Sequence, residues 1–510
     1  MSSSAHQHEC TRLSHLLEGF ADVDQAMDCD VSALSIDSRD VQKGGLFLAC
    51  AGTQGHGVDY LLQAFEAGVA AVAWEPTAEY RELPEMFTVD VPLIAVEDLA
   101  HRAGFIADRF YGHPSGDLRV IGITGTNGKT SCCHFLADAL REDGHDVGVI
   151  GTLGYGLSGQ LDLASHTTPD AVRVHQLLSR MRSQGASYVV MEVSSHGLDQ
   201  GRVNGVSFEV AVLTNVSRDH LDYHITEENY ARAKERLFGM PGVRTIILNE
   251  DDKYGRLWMK GLSSDRKLIA YRKSSAEPSL SQQVLEFSDV NLTHNGIEWT
   301  VRSSWGEATL SNHLFGYFNV YNLAAVLSTL MALGMEWPKA CAQIQKLTTP
   351  PGRMEFYRSR SGRPTPLVVI DFAHTPDALQ HVLRALKEHD FGRLWCVFGC
   401  GGDRDTGKRS LMGAVAESLA DQVILTDDNP RSESAEAIVA DILCGIKDQD
   451  QIHIEHDRKQ AIAWAIEHAH AEDVVLVAGK GHEEYQWVGH TKHPFSDKSV
   501  VESLLDGGLH

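Results

Sequence analysis

No apolar stretch in this 510-residue chain reaches the length needed to span a bilayer, which excludes a helical membrane protein. The opening residues, MSSSAHQHECTRLSHLLEGF, lack the basic start and apolar run of a secretory signal. Cysteine is sparse: nine residues, with no C-x-x-C pair. Neither a disulfide scaffold nor a zinc cluster is expected, and the thiols read as reduced. Basic charge is also short, with 45 Lys and Arg against 69 Asp and Glu, a net charge of -24. So acidic a chain repels a phosphate backbone, and no nucleic-acid partner is expected. There are no repeats and no low-complexity tracts. What is left reads as a soluble, cytoplasmic protein with no membrane partner, long enough for roughly three domains.

Two turn-rich joints divide the chain. YGHPSGD, from Tyr111, closes a first region in which GGLFLAC and VAAVAWE are strand-like and YLLQAFEAG is helical, with Gly68 as its stop. TTPPGRMEF, around Pro350 and Pro351, opens the last region. Between them, DVGVIGT, SYVVMEV, FEVAVLTNV and RTIILNE alternate with helical patterns, as a parallel sheet covered by helices requires. A more polar stretch over 265–312 reads as short antiparallel strands, followed by the helix NVYNLAAVLSTLMALG. PLVVIDFAH, RLWCVFGCGG, QVILTDDNPR and DVVLVAGKGHEE predict a second doubly wound unit. The expected segments are 1–113, 114–347 and 348–510.

The motif VIGITGTNGKTS, Val120 to Ser131, runs from an apolar strand through a Gly-rich turn into a helix. It lacks the first glycine of the usual G-x-x-x-x-G-K-[ST] loop, because Ile123 stands there and Gly125 replaces it. Gly125 and Gly128 free the backbone to turn N–H groups inward, and a helix N-terminus favours anions. Lys129 suits terminal phosphates, and the Thr130 hydroxyl suits Mg²⁺.

Ligands of open α/β sheets gather beyond the carboxyl ends of the strands. Glu192 ends one strand, either as a metal ligand or as half of a buried ion pair. The spacing of His220 and His224 admits zinc, but the H-E-x-x-H glutamate is missing, so magnesium is the better fit. Lys234 lies on a charged helix and reads as part of a solvated face, no different from Arg232 or Arg236. Arg431 follows an Asn-Pro turn and is placed either to grip a carboxylate or to pair with Glu433 or Glu436.

Taken together, GTNGKTS, MEVSSHGLDQGRV, TNVSRDHLDYH, YARAKERLF, GYFNVYNLAA, PGRMEF, DFAHTPDAL, GCGGDRDTGKR, DDNPRSE and VAGKGHEEYQ resemble, in content and order, the motifs of the Mur ligases. These ATP-dependent enzymes add amino acids to the peptidoglycan precursor, and the shortened phosphate loop is the form they use. The resemblance implies an α/β fold of three domains. An N-terminal domain takes the UDP end, a central P-loop ATPase-type parallel sheet takes ATP, and a C-terminal Rossmann-like domain takes the amino acid.

The resemblance also implies site residues. Gly125, Thr126, Asn127, Gly128, Lys129, Thr130 and Ser131 hold ATP phosphates, and Asn319, Arg353, Asp371 and His374 serve the nucleotide. Thr130, Glu192 and His220 hold Mg²⁺ or support it, joined by Lys234 if carbamylated. Thr167, Thr168, Ser194, Gln200 and Arg202 hold the muramoyl dipeptide, and Ser38, Thr53, Gln54 and Gly55 the uridine nucleotide. Asp428, Asn429, Pro430 and Arg431 match members that add meso-diaminopimelate to UDP-MurNAc-L-Ala-D-Glu, with Arg404, Gly479 and Glu483 completing that site. Arg431 would attract the distal carboxylate of diaminopimelate and repel the ammonium of lysine. A monomer is expected.

Other readings are a lysine-adding relative, a folylpolyglutamate synthase, a P-loop NTPase doing conformational work, or a non-catalytic nucleotide-binding module. Arg431 opposes the first. An N-terminal region the size of a full folding unit opposes the second. Intact Lys129, Glu192 and His220 oppose the last.

Overall fold

The computed structural model describes residues 10–52, 55–83, 90–262, 265–359 and 364–506. The chain divides into two compact units, Met1–Val284 with Ser328–Met335, and Leu285–Leu327 with Glu336–His510. No helix among the described residues is long and apolar enough to cross a membrane. All nine cysteines are free thiols.

The first unit holds two main sheets, besides a two-stranded antiparallel pair of Thr11–Arg12 with Asp30–Val31. The smaller main sheet has four parallel strands in chain order: Leu34–Ser35, Leu46–Ala49, Ala71–Trp74 and Leu93–Ala95. Alternate residues bury on opposite faces. Leu46, Leu48, Ala71 and Ala73 pack with Leu99, Ala103, Ile106 and Phe110 of a helix, while Phe47, Ala49, Val72 and Trp74 pack with Val58, Leu61 and Ala64. Two covered faces explain why these strands are continuously apolar in sequence. The helix Leu61–Glu66 ends at Gly68, whose φ of +80° fits a C-terminal stop.

The larger sheet of this unit runs Gln160–Asp162, Gly154–Leu157, Val147–Gly151, Tyr188–Glu192, Arg119–Thr124, Phe208–Leu213, Thr245–Asn249, Lys267–Lys273. The first two strands form an antiparallel hairpin extension, and the rest are parallel. Arg119–Thr124 is the first of the parallel strands in sequence yet sits between two later ones, so the strand order reverses beside it. A crevice opens at such a reversal, beyond the carboxyl ends.

Lys267–Lys273 corrects one expectation. It was expected to be antiparallel but pairs parallel with Thr245–Asn249, because the helix Lys253–Met259 returns the chain across the sheet.

Gln283–Thr293, which enters the second unit at Leu285, and Gly296–Ser303 and Gly306–Asn312 form antiparallel pairs as expected, although they are 11, 8 and 7 residues long rather than short. The helix expected next spans Phe318–Ala332. The second unit's main sheet has six strands, in the order Glu355–Tyr357, Leu367–Asp371, Val474–Ala478, Leu394–Phe398, Gln422–Leu425, His453–Ile454. All but the first pairing are parallel. Val369, Cys396, Phe398 and Leu476 face the helices carrying Leu383 and Met412, while Val368, Ile370, Val397 and Val475 face those carrying Ile462 and Val501. Helices therefore cover both faces, which is the doubly wound arrangement.

Candidate active site

The strand Arg119–Thr124 is buried along nearly its whole length and delivers the chain to Gly125. A Cβ at Gly125 would lie 1.9 Å from Thr214 Oγ1 and 3.0 Å from the Asn215 carbonyl, at a φ of +149°. No other residue fits there. Gly128, at φ +85°, starts the helix Lys129–Glu142, which buries Cys132, Cys133, Phe135, Leu136, Ala139 and Leu140.

The loop is held from the neighbouring strand end. The Asn215 carbonyl accepts from the Thr126 N–H at 2.8 Å, Asn215 Oδ1 accepts from the Asn127 N–H at 3.0 Å, and Thr214 Oγ1 donates to the Asn127 carbonyl at 2.6 Å. Those contacts occupy two N–H groups of the loop. The free donors for an anion are the first-turn N–H groups of the helix, which have no intrahelical acceptor. Asn215 was missed in the sequence. An Asn directly after a buried strand that neighbours the loop strand was the available signal.

Two ammonium groups converge on this loop. Lys129 Nζ donates to the Gly125 and Thr126 carbonyls, each at 2.8 Å, and Lys234 Nζ donates to Gly125 O at 2.8 Å. Lys234 is 1% exposed, whereas Arg232 and Arg236 on the same helix are exposed. The solvated-face reading of Lys234 is therefore corrected. Tyr230, Lys234, Leu237 and Phe238 form one buried stripe of the helix Glu227–Gly239, and the ammonium stands 4.3 Å from the Tyr230 ring centroid. Burial, and then the Lys129 charge, push Lys234 well below its ordinary pKa. Burial also lowers Lys129, against the opposing pull of Glu192 and Asp219.

Glu192 resolves the choice between ion pair and ligand in part. Its Oε2 accepts from Thr130 Oγ1 at 2.9 Å and from Thr152 Oγ1 at 3.3 Å, and its Oε1 accepts from the Thr152 N–H at 2.7 Å. It forms no ion pair among the described residues. Burial raises its pKa against the attraction of Lys129. A buried carboxylate touching a hydroxyl at the mouth of a phosphate loop is a hard-oxygen set that suits Mg²⁺.

His220 is about half exposed and adopts φ +50°, with its ring 4.8 Å from that of His196. His224 instead turns inward, Nε2 to Ser195 Oγ at 3.1 Å. Among the described residues no three His, Cys, Asp or Glu side chains are grouped to hold a metal, so the His220 and His224 spacing gains no third zinc ligand.

The residues expected at the muramoyl dipeptide cluster beside Glu192. Thr168 Oγ1 donates to the Glu192 carbonyl at 2.9 Å and accepts from the Ser194 N–H at 3.0 Å. Arg202 donates to the Thr168 carbonyl at 2.8 Å and to Gln200 Oε1 at 2.7 and 2.9 Å. Thr167 Oγ1 lies 3.1 Å from Thr152 Oγ1, and Ser194 Oγ caps the helix Ser195–Asp199. In the smaller sheet Ser38 Oγ donates to Gln63 Oε1 at 2.9 Å, and the Gly55 carbonyl accepts from the Gly52 N–H at 2.9 Å. Thr53 and Gln54 lie outside the described residues.

In the second unit, Asp371 accepts from the Met354 and Ala373 N–H groups, both at 2.8 Å. Burial raises its carboxyl to about 6 against the pull of Arg353, whose guanidinium lies 5.7 Å from the Phe372 ring centroid. His374 follows on the same loop, with its Nδ1 2.8 Å from the Phe372 carbonyl. The buried Asn319 side chain bonds the Phe315 carbonyl at 2.8 Å and Asn322 at 3.0 Å, an internal role the sequence did not suggest.

The loops after Leu394–Phe398, Gln422–Leu425 and Val474–Ala478 meet around Asp428–Arg431. Asn429 Nδ2 donates to Glu483 Oε2 at 2.9 Å. Gly479, at φ +117°, is required, since a Cβ there would lie 2.6 Å from Asp428 Oδ2. Arg431 has φ +53°, donates to the Gly402 carbonyl and stacks 5.2 Å from the Trp487 centroid. Glu433 is taken by Arg409 at 2.9 Å and Glu436 by Ser434 at 2.6 Å. Arg431 thus pairs with neither, and among the described residues no carboxylate forms an ion pair with it. Arg404 packs on the same loop, its Cγ 3.9 Å from a Cβ built at Gly401.

A phosphate loop at a strand-order reversal, together with polar loops gathered at the ends of a second parallel sheet, defines a nucleotide-using α/β enzyme. Three family models match: the Mur ligase family catalytic domain over residues 30–111, the Mur ligase middle domain over 123–330, and the Mur ligase glutamate ligase domain over 352–481. Similar curated proteins are UDP-N-acetylmuramoyl-L-alanyl-D-glutamate–2,6-diaminopimelate ligases. That of Coxiella burnetii is 47% identical, covering 97% of this chain and 99% of its own. That of Pseudomonas aeruginosa is 46% identical, covering 94% and 96%. A solved structure of a ligase with the same name is 35% identical, with a TM-score of 0.74 over 98% of this chain and 100% of its own. The chain belongs to the Mur ligase family.

Proposed function

We propose that the chain is an ADP-forming ligase that joins meso-diaminopimelate to the D-Glu γ-carboxylate of UDP-MurNAc-L-Ala-D-Glu in the cytoplasmic synthesis of peptidoglycan precursor. The γ-carboxylate attacks the γ-phosphate of ATP, giving ADP and an acyl phosphate. The amine of diaminopimelate then attacks the acyl carbonyl, and the tetrahedral intermediate expels phosphate to leave the amide. Three segments divide the work: 1–113 for the UDP end, 114–347 for ATP, and 348–510 for the amino acid.

The resemblance assigns the residues' roles, and their surroundings support that assignment. Gly125 to Ser131 cradle the phosphates, and Lys129 moves from the loop carbonyls onto the terminal phosphates. Thr130, Glu192, His220 and a carbamylated Lys234 would hold Mg²⁺, which when bound supplies positive charge to the transferring phosphoryl group. Lys234 is suited to carbamylation because it is buried at the loop beside Lys129, and burial and that charge favour the uncharged, nucleophilic form of its amine. Asn319, Arg353, Asp371 and His374 serve the nucleotide. Thr167, Thr168, Ser194, Gln200 and Arg202 position the dipeptide, with Ser38, Thr53, Gln54 and Gly55 at the uridine end. Arg404, Asp428, Asn429, Pro430, Arg431, Gly479 and Glu483 take diaminopimelate, with Glu483 toward an ammonium and Arg431 toward the distal carboxylate.

The observation that carries the amino-acid assignment is Arg431, held by backbone and Trp487, with Asp403 nearby but no ion pair to any carboxylate among the described residues. The test is phosphate release with ATP, Mg²⁺ and UDP-MurNAc-L-Ala-D-Glu, with meso-diaminopimelate, L-lysine or no amino acid added, and product mass checked each time. Turnover only with diaminopimelate, giving the tripeptide mass, is expected. Turnover with lysine would overturn the specificity, and phosphate release without any amino acid would favour an NTPase.

A further inference from the structure

Lys480 follows Gly479 at the end of the strand Val474–Ala478, and its side chain is fully buried. An ammonium without water must be met by protein groups. Lys480 Nζ donates to Asn429 Oδ1 and to Glu483 Oε2, both at 3.1 Å, and stands 3.7 Å from Asp428 Oδ1. Asn429 is fixed by the same contacts. Its Oδ1 accepts from Lys480 and from the Trp487 N–H at 2.9 Å, so its amide nitrogen must point to Glu483. Glu483 Oε2 therefore receives two donors, while among the described residues none reaches Oε1.

We infer that Lys480 is a positioning residue for the incoming amino acid, pinning Glu483 and Asn429 in one orientation and leaving Glu483 Oε1 as the acceptor for the substrate ammonium. This rests on the assignment of Glu483 to the amino-acid site. Lys480 also separates two carboxylates. Without its charge, Asp428 and Glu483 lose the cation between them. Glu483 Oε2 would then lose its ammonium donor, and the carboxylate would no longer be fixed toward the substrate. Buried and bonded to both side chains, Lys480 acts on the substrate through Glu483 and Asn429.

The test uses the full-length chain, first assayed with meso-diaminopimelate, L-lysine and no amino acid, and then compared with Lys480→Met and Lys480→Gln using whichever amino acid turns over. Turnover with lysine would count against the functional reading while leaving the test of Lys480 intact. The expected result is a rise of tenfold or more in the amino-acid KM for Lys480→Met. The KM values for ATP and the UDP-linked dipeptide should stay within twofold of wild type. Lys480→Gln, which keeps a donor for Glu483, should fall between them and covers the case in which the methionine variant does not fold. In a Glu483→Gln background the effect of Lys480→Met should shrink, because the two residues act as a unit. Equal rises in all three KM values, or full additivity with Glu483→Gln, would overturn the proposal.

Discussion

Lys234 Nζ and the Gly125 carbonyl, 109 residues apart in sequence, are joined by a 2.8 Å hydrogen bond inside the phosphate loop. The bond places a buried amine at the loop's first glycine. It joins the Lys129 ammonium there, so two like charges share one strand end. Desolvation lowers the pKa of both lysines, and for Lys234 the Lys129 charge adds to it. Lys234→Ala is expected to lose at least a hundredfold in turnover, with short-chain carboxylic acids restoring part of it. Protein held in ¹³C-bicarbonate should show a carbamate carbon that the variant lacks. A variant that turns over normally would remove Lys234 from the chemistry.

Gly125→Ala sets a Cβ 1.9 Å from Thr214 Oγ1 and 3.0 Å from the Asn215 carbonyl. Rotating Thr214 relieves only the first clash, and the backbone conformation remains one that L side chains rarely adopt. A loss of about 1–3 kcal/mol of stability is expected from such strain. ATP-dependent turnover should fall further than stability alone accounts for, because the loop's grip on Asn215 is lost. Thermal melts and turnover of Gly125→Ala and of Gly125→Ala with Thr214→Ala check this. Full rescue by the second change would mean that the side-chain clash is the whole effect.

Asp371 gives a pH dependence with a definite sign. Its folded pKa, about 6, lies above the ordinary 3.8, so the folded protein holds this proton more tightly than the unfolded chain. The stabilisation is full below pH 3.8 and is lost as pH rises through 6. The difference amounts to about 3 kcal/mol by pH 7. Asp371→Asn removes the titration. The stability of wild type relative to this variant, measured by urea unfolding, should fall between pH 4 and 7. A difference constant across that range would contradict the burial argument.

Legibility in the sequence followed burial. The strands around Val120, Val189, Val369 and Val475 are covered on both faces, so each reads as an apolar run and was placed correctly. Lys267–Lys273 was not, because its parallel pairing depends on a seven-residue crossover helix, Lys253–Met259, too short to show a clear period. At the site, the phosphate loop was legible because glycine spacing reflects backbone geometry directly. Lys234, Asn215 and Lys480 were not legible from chemistry alone, since each is polar and owes its burial to contacts distant in sequence. Lys234 came through resemblance, although its spacing with Tyr230 and Leu237 already drew a buried stripe.

The role proposed for Arg431 separates specificity from catalysis. The Arg431 guanidinium rests against Trp487 and the Gly402 carbonyl, and neither contact involves the phosphate loop. Arg431→Ala should therefore raise the amino-acid KM by ten- to a hundredfold while the ATP KM stays near that of wild type. Such a change corresponds to roughly 1.4–2.8 kcal/mol, the range for one charge-assisted pair to a carboxylate. Arg431→Lys keeps the charge but loses the planar fork, so it should recover only part of the affinity. Steady-state KM values for both substrates decide the matter. An equal rise in the two would place Arg431 in the scaffold of the second unit rather than at the amino acid.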